Sequence, residues 1–293
     1  MSTDSSTPRV APRRHSRLRL RTFRVFERCA ALCGGRRLYK RLALSPGRFV
    51  VREERLEVRG LPTAFEGFTI AHLSDLHGGS FLKGGDLEHV VAAVNALAPD
   101  VIVFTGDFIT HAWSEALPLL VDCAHLRARD GVFAVFGNHD YRGRNEGRIA
   151  AAYLACGIRF LRNDCVYVER DGTRLAFVGL EDLEEARAVD VAAARRSLRP
   201  DDVEIMLCHN PSSARLLARP GCAAILAGHT HGLQIDLPYL RTLGPKHPGL
   251  RVVIGTTTLI VSRGLGVVGL PVRLFAPAEV VVVRLARADL EAA

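Results

Sequence analysis

The sequence contains few cysteines and few aromatic residues. Its seven cysteines among 293 residues are an odd number without a dense spacing pattern, and aromatic residues make up 6% of the chain. This usage argues against a small secreted domain held together by disulfides. Cysteines inside apolar runs, such as Cys208 and Cys222, are instead expected to be buried, reduced thiols of a cytoplasmic protein. Cys29 and Cys33 have a spacing that could bind metal, but no second pair lies nearby to complete a site.

Long apolar runs are also absent. A transmembrane helix needs roughly 18 or more consecutive apolar residues, and no segment reaches that length. The N-terminal region has neither the apolar core of roughly 7–15 residues nor the small-residue cleavage site of an export signal. We therefore expect no membrane span and no exported form. We predict a cytoplasmic location, with the protein either free or peripheral on the inner face of the cell membrane.

Positive charge is concentrated near the N-terminus. The formal net charge is +8, and most of the excess lies between Arg9 and Arg59. Residues 1–20 are rich in Ser, Thr, Pro and Arg, which predicts disorder, whereas residues 21–45 alternate basic with apolar side chains. The second pattern fits an amphipathic helix on an anionic membrane surface, interrupted at Gly34-Gly35. A helix packed on the main domain and a solubilising tail are the alternatives, and nucleic acid is disfavoured because no recognition motif is present.

After this arm the hydrophobic pattern is that of one globular domain. We predict a basic N-terminal arm over residues 1–48 and a single domain over 49–293. Between residues 68 and 105, a strand, a helix and a parallel strand are expected. Further helices are predicted over 115–126, 147–156, 189–198 and 212–217, and further strands over 132–136, 204–208, 223–227, 251–254, 257–261, 272–275 and 280–285, with a hairpin at Asp171-Gly172. An α/β fold of two sheets with helices on their outer faces fits this order.

Residues of metal-ligating types come directly after five of the predicted strands. They are Asp75 and His77, Asp107, Asn138-His139-Asp140, His209, and His229 with His231. Because open α/β folds place their sites at the carboxyl ends of strands, we expect these side chains to meet at one edge. Imidazole, carboxylate and amide ligands favour Mn, Fe, Zn or Co over Ca. The lack of cysteine in the set argues against a structural zinc site.

Together, the five segments resemble the motif set of calcineurin-like metallophosphoesterases over about residues 68–285. The segments Gly228–Gly232 and Ser262–Gly266 are similar to the bacterial subgroup of YaeI-like phosphodiesterases. The resemblance implies a four-layer α/β/β/α sandwich of two mixed β-sheets flanked by helices. Some members of the wider group hydrolyse UDP-2,3-diacylglucosamine, so the resemblance also implies that the substrate could be linked to a lipid.

The resemblance further implies a centre of two divalent metal ions. One ion would be held by Asp75, His77 and His231, the other by Asn138, His209 and His229, and Asp107 would bridge both. His139 would protonate the leaving oxygen, and Asp140 would orient His139. These roles are physically consistent, because a carboxylate between two dications fixes their spacing and two ions lower the pKa of a bridging water towards neutrality, which gives hydroxide as the nucleophile.

The predicted function is metal-dependent hydrolysis of a phosphodiester or pyrophosphate bond, with UDP-2,3-diacylglucosamine as a lipid-linked candidate substrate. A nucleotide or nucleic-acid phosphodiesterase is the alternative. A non-catalytic metal-binding scaffold is a further alternative, against which the presence of both Asp107 and His139 argues.

Two other positions bear on substrate contact. Arg263, in a Gly-rich turn, is predicted to contact a phosphate oxygen, with a surface salt bridge as the alternative. His111 follows Asp107 closely enough to approach a substrate, but otherwise it is typical of a surface residue.

Overall fold

A computed structural model describes residues 17–237 and 248–288 of the chain. These residues form two six-stranded sheets and seven α-helices. The strands are β1 (Val50–Val58), β2 (Thr69–Leu73), β3 (Val101–Thr105), β4 (Val132–Val135), β5 (Ile158–Phe160), β6 (Asp164–Arg170), β7 (Thr173–Gly179), β8 (Val203–Leu207), β9 (Cys222–Ala227), β10 (Arg251–Ile254), β11 (Thr257–Val261) and β12 (Glu279–Arg287). The helices are α1 (Arg17–Ala30), α2 (Arg36–Tyr39), α3 (Glu88–Ala96), α4 (Leu120–Cys123), α5 (Glu146–Leu154), α6 (Val191–Ala194) and α7 (Ala214–Leu217).

Both sheets mix parallel and antiparallel pairs. The first sheet has the order β1-β12-β2-β3-β4-β5 and the second β10-β11-β9-β8-β7-β6. In the first, β2, β3, β4 and β5 are parallel to one another, while β12 runs antiparallel to β2. In the second, β7, β8, β9 and β11 are parallel, and β6 and β10 are antiparallel edge strands. Because parallel strands end on the same side, β2, β3 and β4 deliver their following loops to one edge, as do β8 and β9.

Alternate residues along the central strands divide the core into layers. Ile70 and Val103 lie in the apolar cluster between the two sheets, which also contains Phe177 and Leu207 of the second sheet. Their neighbours along the strands, such as Phe104, face outward into a cluster shared with the helices of the first sheet. A third cluster lies between the outer face of the second sheet and helices α6 and α7. This alternation confirms the expected α/β sandwich of two mixed sheets flanked by helices.

Three predicted elements differ from the structure. The helix predicted over 115–126 is reduced to short turns and α4, because Pro118 lacks the N–H that a continuous helix requires. The helix predicted over 189–198 is only the single turn α6. No strand forms over 272–275, within the described residues, where Pro271 precedes a largely exposed loop that makes one isolated β-bridge. The sequence patterns were correct for apolar spacing but did not account for these interruptions.

The N-terminal helices pack on the domain. Gly34 has a φ of 95°, which separates α1 from α2 at the predicted interruption. Tyr39 and Leu44 are fully buried in the outer cluster of the first sheet, and Arg36 forms a bidentate ion pair with Asp86. No helix in the described ranges is both long and apolar enough to cross a bilayer. Residues 1–16, for which disorder is predicted, lie outside the described residues, and the domain boundary at residue 48 stays a prediction.

Candidate metal centre

The structure brings all seven predicted metal ligands together where the two sheets meet. The first sheet supplies four of them from the loops after β2, β3 and β4, and the second supplies three from the loops after β8 and β9. They are Asp75, His77, Asp107 and Asn138 from the first sheet, and His209, His229 and His231 from the second. Although they span about half of the chain, each has a donor atom within 3.4 Å of a donor atom of another member of the set.

One group of donor atoms comes from Asp75, His77 and His231. His77 Nε2 lies 2.9 Å from His231 Nε2, and Asp75 Oδ1 lies 3.4 Å from His231 Nε2. The distance from His77 Nε2 to Asp75 Oδ1 is 3.9 Å. Ligand atoms that each bind one ion at about 2.1 Å are separated from one another by about 3.0–3.5 Å in common geometries. Two of the three separations are close to this range and the 3.9 Å separation is longer, so the three atoms form a group that could hold a single ion.

A second group comes from Asn138, His209 and His229. Asn138 Oδ1 lies 3.2 Å from His209 Nε2 and 3.0 Å from His229 Nδ1, and the two imidazole nitrogens are 3.2 Å apart. Asp107 stands between the groups, because its Oδ2 is 3.3 Å from both His77 Nε2 and His209 Nε2. The geometry therefore fits two ions that share one carboxylate.

The tautomer of His209 is suited to this role. Its Nδ1 lies 2.7 Å from the carbonyl oxygen of Thr105, so Nδ1 carries the proton and donates it to that oxygen. Nε2 is then the nitrogen that faces Asp107 and Asn138. Burial would lower the pKa of His209, but the Asp107 carboxylate outweighs it and raises that pKa above the usual value, so Nε2 releases a proton when it binds a metal. A backbone carbonyl behind a metal-binding imidazole is a common means of fixing its orientation.

Five of the seven ligands have left-handed backbone conformations. Their φ values are 52° for Asp75, 48° for His77, 57° for Asp107, 70° for His229 and 52° for His231. A non-glycine residue in this region costs about 1–2 kcal/mol, and such residues cluster at functional sites. The chain therefore turns sharply after each of three strands in order to present these side chains.

Two glycines allow the backbone to approach the ligands closely. A Cβ atom on Gly137 would lie 2.2 Å from Asp107 Oδ1, and one on Gly228 would lie 2.3 Å from Asp75 Oδ2. Neither contact is possible between real atoms. Any side chain at these positions would therefore displace a ligand carboxylate.

The charges at the centre suit metal binding. Burial lowers the pKa of His231 to about 3 and that of His229 to about 4, so both imidazoles are neutral, which is the form that binds a metal. Burial alone would favour the neutral form of Asp107, but the charged imidazole of His209 outweighs it and holds the pKa of Asp107 well below the usual value. Asp107 is therefore a carboxylate at neutral pH.

His139 lies beside the two groups of ligands. Its backbone N–H donates to Asp107 Oδ1 over 2.8 Å, its Nδ1 is 2.9 Å from the carbonyl oxygen of Thr110, and its ring meets His77 edge-on at 4.6 Å. Burial lowers the pKa of His139 to about 3, against the opposing effect of the Asp107 carboxylate. Nδ1 therefore donates to Thr110, and Nε2 carries the lone pair, which accepts a hydrogen bond from Arg142 Nη2 over 3.2 Å.

Asp140 is buried, but its carboxylate contacts the backbone. Oδ2 accepts the N–H groups of Asp107 and Gly137, each at 2.9 Å, and Oδ1 accepts that of Phe108 at 2.8 Å. In the described residues, the acceptor that faces the His139 imidazole is the Thr110 carbonyl, and Asp140 is not in contact with that imidazole. Any influence of Asp140 on His139 is therefore transmitted through the loop that carries Asp107.

Arg263 forms a salt bridge with the buried carboxylate of Glu279. Its Nε lies 2.8 Å from Glu279 Oε2, and its backbone N–H donates to Glu279 Oε1 over 2.8 Å. These contacts are those of the alternative, a salt bridge, although this one is largely buried. The predicted contact between Arg263 and a phosphate stays a prediction that these contacts do not favour.

Sequence reasoning missed three residues around the centre and misjudged a fourth. Arg142 approaches His139 Nε2, Glu184 Oε1 lies 3.7 Å from His229 Nε2, and Glu27 reaches the site from helix α1. His111 is not a surface residue, because its side chain is 9% exposed and binds Glu27. Arg142 could have been noticed as a cation three residues after His139. Nothing local in the sequence marks Glu27 or Glu184.

Comparisons with known proteins show which family this chain is similar to. The model of the calcineurin-like phosphoesterase family matches residues 68–233. A Bacillus subtilis protein described as the uncharacterized metallophosphoesterase YkuE is 31% identical over 267 residues, covering 87% of this chain and 92% of that protein. A Bos taurus transmembrane protein with a metallophosphoesterase domain is 32% identical over 241 residues, which covers 76% of this chain and 54% of the bovine protein. This chain thus spans about half the length of the bovine relative. Among solved structures, the phosphopantetheinyl hydrolase of Mycobacterium tuberculosis covers 67% of this chain and 89% of its own, with 15% identity and a TM-score of 0.42.

Proposed function

Because this chain belongs to the calcineurin-like phosphoesterase family and is therefore a hydrolase, we propose that it cleaves a phosphodiester or pyrophosphate bond with two divalent metal ions. The observation that carries the proposal is the convergence of seven donor side chains into two groups that share Asp107. Their imidazole, carboxylate and amide chemistry fits Mn, Fe, Zn or Co. When bound, two such ions neutralise charge on a phosphate and make a water molecule more acidic.

The residues of the chain divide the remaining work. The seven ligands orient the phosphate and the attacking water, so that the water oxygen bonds to phosphorus while the bond to the leaving oxygen breaks. The attacking water loses a proton and the leaving oxygen needs one. We propose that His139 Nε2, which carries a lone pair because Nδ1 donates to Thr110, takes the first proton and passes it to the leaving oxygen. Asp140 holds the loop that carries Asp107, and Glu184 lies behind His229.

The resemblance to YaeI-like phosphodiesterases is supported by the position of the Ser262–Gly266 loop. The N–H of Leu265 donates to the carbonyl oxygen of Ser74 over 3.0 Å, and that of Gly266 donates to the carbonyl oxygen of Asp75 over 2.6 Å. The loop therefore supports the first ligand loop from behind. We propose on this basis that the motif belongs to the metal centre, and that the chain shares the phosphodiesterase activity of that subgroup.

The central prediction concerns the purified protein. With added Mn²⁺, Co²⁺ or Zn²⁺ we expect it to release 4-nitrophenolate from bis(4-nitrophenyl) phosphate, because the ligands are already spaced to hold both ions. The same preparation stripped of metal with a chelator should be inactive and should recover when metal is restored. Turnover that is equal in the stripped and the loaded protein would contradict the proposal.

A lipid-linked substrate is the more specific proposal, and exposed apolar side chains support it. They lie on the N-terminal helices and on the adjacent 270–275 loop, and we call them the apolar rim: Phe23, Val25, Phe26, Leu32, Leu38, Leu42, Leu270, Val272, Leu274 and Phe275. The two parts are neighbours, since a Cβ on Gly269 would lie 2.9 Å from the Phe23 ring. Exposed arginines, including Arg28 and Arg37, lie among them. Apolar side chains flanked by arginines suit an anionic bilayer, where a substrate such as UDP-2,3-diacylglucosamine would reside.

Vesicle binding tests this surface. We expect the protein to sediment with vesicles that contain phosphatidylglycerol and less with vesicles of phosphatidylcholine alone. Glu in place of Leu32, which is 87% exposed, should weaken sedimentation roughly tenfold. The matched control is Leu216→Glu, a change at a 72% exposed leucine on α7, and it should have no effect. Equal sedimentation of the two variants would contradict membrane docking. Cleavage of nucleotide diesters but not of UDP-2,3-diacylglucosamine would instead favour the nucleotide alternative.

A further inference from the structure

Among the described residues, no carboxylate lies within ion-pair distance of the Arg142 guanidinium. Its Nη2 is 3.2 Å from His139 Nε2, and its Nη1 donates to the Thr110 carbonyl oxygen and lies 3.4 Å from His111 Nδ1. The guanidinium is partly buried, and within the described ranges it forms no ion pair with a carboxylate. Three of its five N–H groups are satisfied by these contacts, which leaves donors for a further acceptor.

Most other partly buried arginines in the described part of the chain pair with a carboxylate. Five arginines with side chains that are 14–17% exposed each pair with Asp or Glu: Arg52, Arg170, Arg174, Arg195 and Arg263. Arg273 pairs with no carboxylate in the described ranges, and it instead contacts the carbonyl oxygens of Gly266 and Ala276 and the Nδ1 atom of His231. A partly buried cation without a counter-ion is costly. Arg142 lies beside the proposed phosphate-hydrolysing centre, which indicates that the substrate supplies the anion that pairs with this guanidinium.

A chain of contacts from helix α1 fixes the guanidinium. Glu27 is buried, and it accepts the backbone N–H of Gly269 at 2.8 Å while its Oε2 lies 2.5 Å from His111 Nε2. Because the carboxylate accepts a proton from Nε2, the lone pair of His111 stays on Nδ1, where it faces Arg142. Glu27 on helix α1 therefore determines which nitrogen of His111 can accept a hydrogen bond from the Arg142 guanidinium.

We propose that Arg142 binds an anionic leaving group beside His139, and that Glu27 and His111 are positioning residues for this contact. The inference rests on the proposed function, in which His139 marks the leaving-group side of the centre. The two metal ions act on the phosphate under attack, so a further cation on this side fits a leaving group that is itself a phosphate. Arg142 would thereby favour a pyrophosphate linkage over a diester with an uncharged alcohol.

The first test replaces Arg142 by Gln and compares two substrates. For a nucleoside diphosphate sugar, we expect kcat/KM to fall roughly 10- to 100-fold, as for a lost hydrogen bond to a charged group. For bis(4-nitrophenyl) phosphate, the loss should be no more than about threefold, since this leaving group has no phosphate for Arg142 to bind. Arg144→Gln is the matched control, because Arg144 lies two residues further on and its guanidinium binds Glu185. Equal losses on both substrates would overturn the proposal.

A binding measurement separates this inference from the proposed function. Methylenediphosphonate, a pyrophosphate analogue that cannot be hydrolysed at its P–C–P bridge, is titrated calorimetrically into metal-loaded protein. The Arg142→Gln variant should bind it roughly tenfold more weakly than wild type or Arg144→Gln. If the wild type binds the analogue in this way but hydrolyses nothing, the proposed function fails and Arg142 is a phosphate-binding residue without a leaving group to bind. Unchanged binding in Arg142→Gln overturns that role.

The positioning role is tested by a double-mutant cycle. Glu27→Ala should weaken binding of methylenediphosphonate roughly threefold to tenfold in the wild-type background and have no further effect in Arg142→Gln. A merely structural role for Glu27 would give the same loss in both backgrounds and would overturn the positioning. Should Glu27→Ala fail to fold, Glu27→Gln replaces it, because the amide oxygen can still accept the Gly269 N–H.

Discussion

Asp107→Ala is expected to lower turnover roughly a thousandfold or more, because several kcal/mol of metal-dependent stabilisation depends on this carboxylate. Asp107 Oδ2 lies 3.3 Å from the donor nitrogens of both His77 and His209, so its removal affects both groups of ligands. The variant should also bind fewer than two ions per chain. Steady-state kinetics and elemental analysis of the purified protein measure the two effects.

The control for Asp107→Ala is the loss of another buried carboxylate. Asp202 is paired with Arg174 at the far end of the second sheet, so Asp202→Ala should change stability but neither metal content nor kcat. Asp107→Asn keeps the volume of the side chain and serves if the alanine variant does not fold. An Asp107→Ala protein that holds two ions and turns over within about tenfold of wild type would contradict the shared-carboxylate centre.

His139→Ala is expected to separate metal binding from chemistry. The imidazole is not among the seven ligands, so both ions should remain, whereas turnover should fall about 10²–10⁴-fold with the loss of a general acid. The loss should be largest for substrates with alkoxide leaving groups, which need a proton as the bond breaks. It should be smaller for 4-nitrophenolate, which is stable as an anion. A series of diesters with leaving groups of graded pKa measures this trend.

An exposed histidine provides the comparison for His139→Ala. His89 lies on α3 with 41% of its side chain exposed, and His89→Ala should behave as wild type with every substrate. If His139→Ala shows the same fractional loss for phenolate and alkoxide leaving groups, the imidazole is not the acid. Loss of bound metal in His139→Ala would instead place it among the ligands.

The convergence of the seven predicted ligands at one edge could be predicted because it depends on local sequence features. Each ligand follows an apolar run that had to be a strand, and the carboxyl ends of parallel strands share an edge. The left-handed φ values of Asp75 and Asp107 could not be predicted, because they follow from how the loops are packed rather than from residue type. Asp140 shows the same limit, since a carboxylate beside His139 in the sequence was expected to orient that imidazole. Its oxygens instead accept backbone N–H groups.

Contacts between segments that are distant along the chain also could not be predicted from the sequence. His111 was interpreted as a surface residue because its partner, Glu27, comes from a helix 84 positions earlier. The amphipathic pattern of that helix indicates which face is apolar, but not that a single acidic residue on it would be buried against the catalytic loops. Arg142 was overlooked for a related reason, because an arginine in a polar loop is usually solvated and only the structure shows its missing carboxylate.

The division of the ligands between the two sheets has a mechanical consequence. Four donors belong to one sheet and three to the other. At this edge the two sheets are joined by polar side chains, whereas deeper in the sandwich they are joined by the apolar cluster between them. Bound cations would therefore cross-link the two sheets at this edge. Removing them with a chelator would leave buried carboxylates and imidazoles facing each other without the ions between them. Amide hydrogens of the loops after β3 and β9 should exchange faster in the stripped protein, while those in the middle of the strands keep their protection.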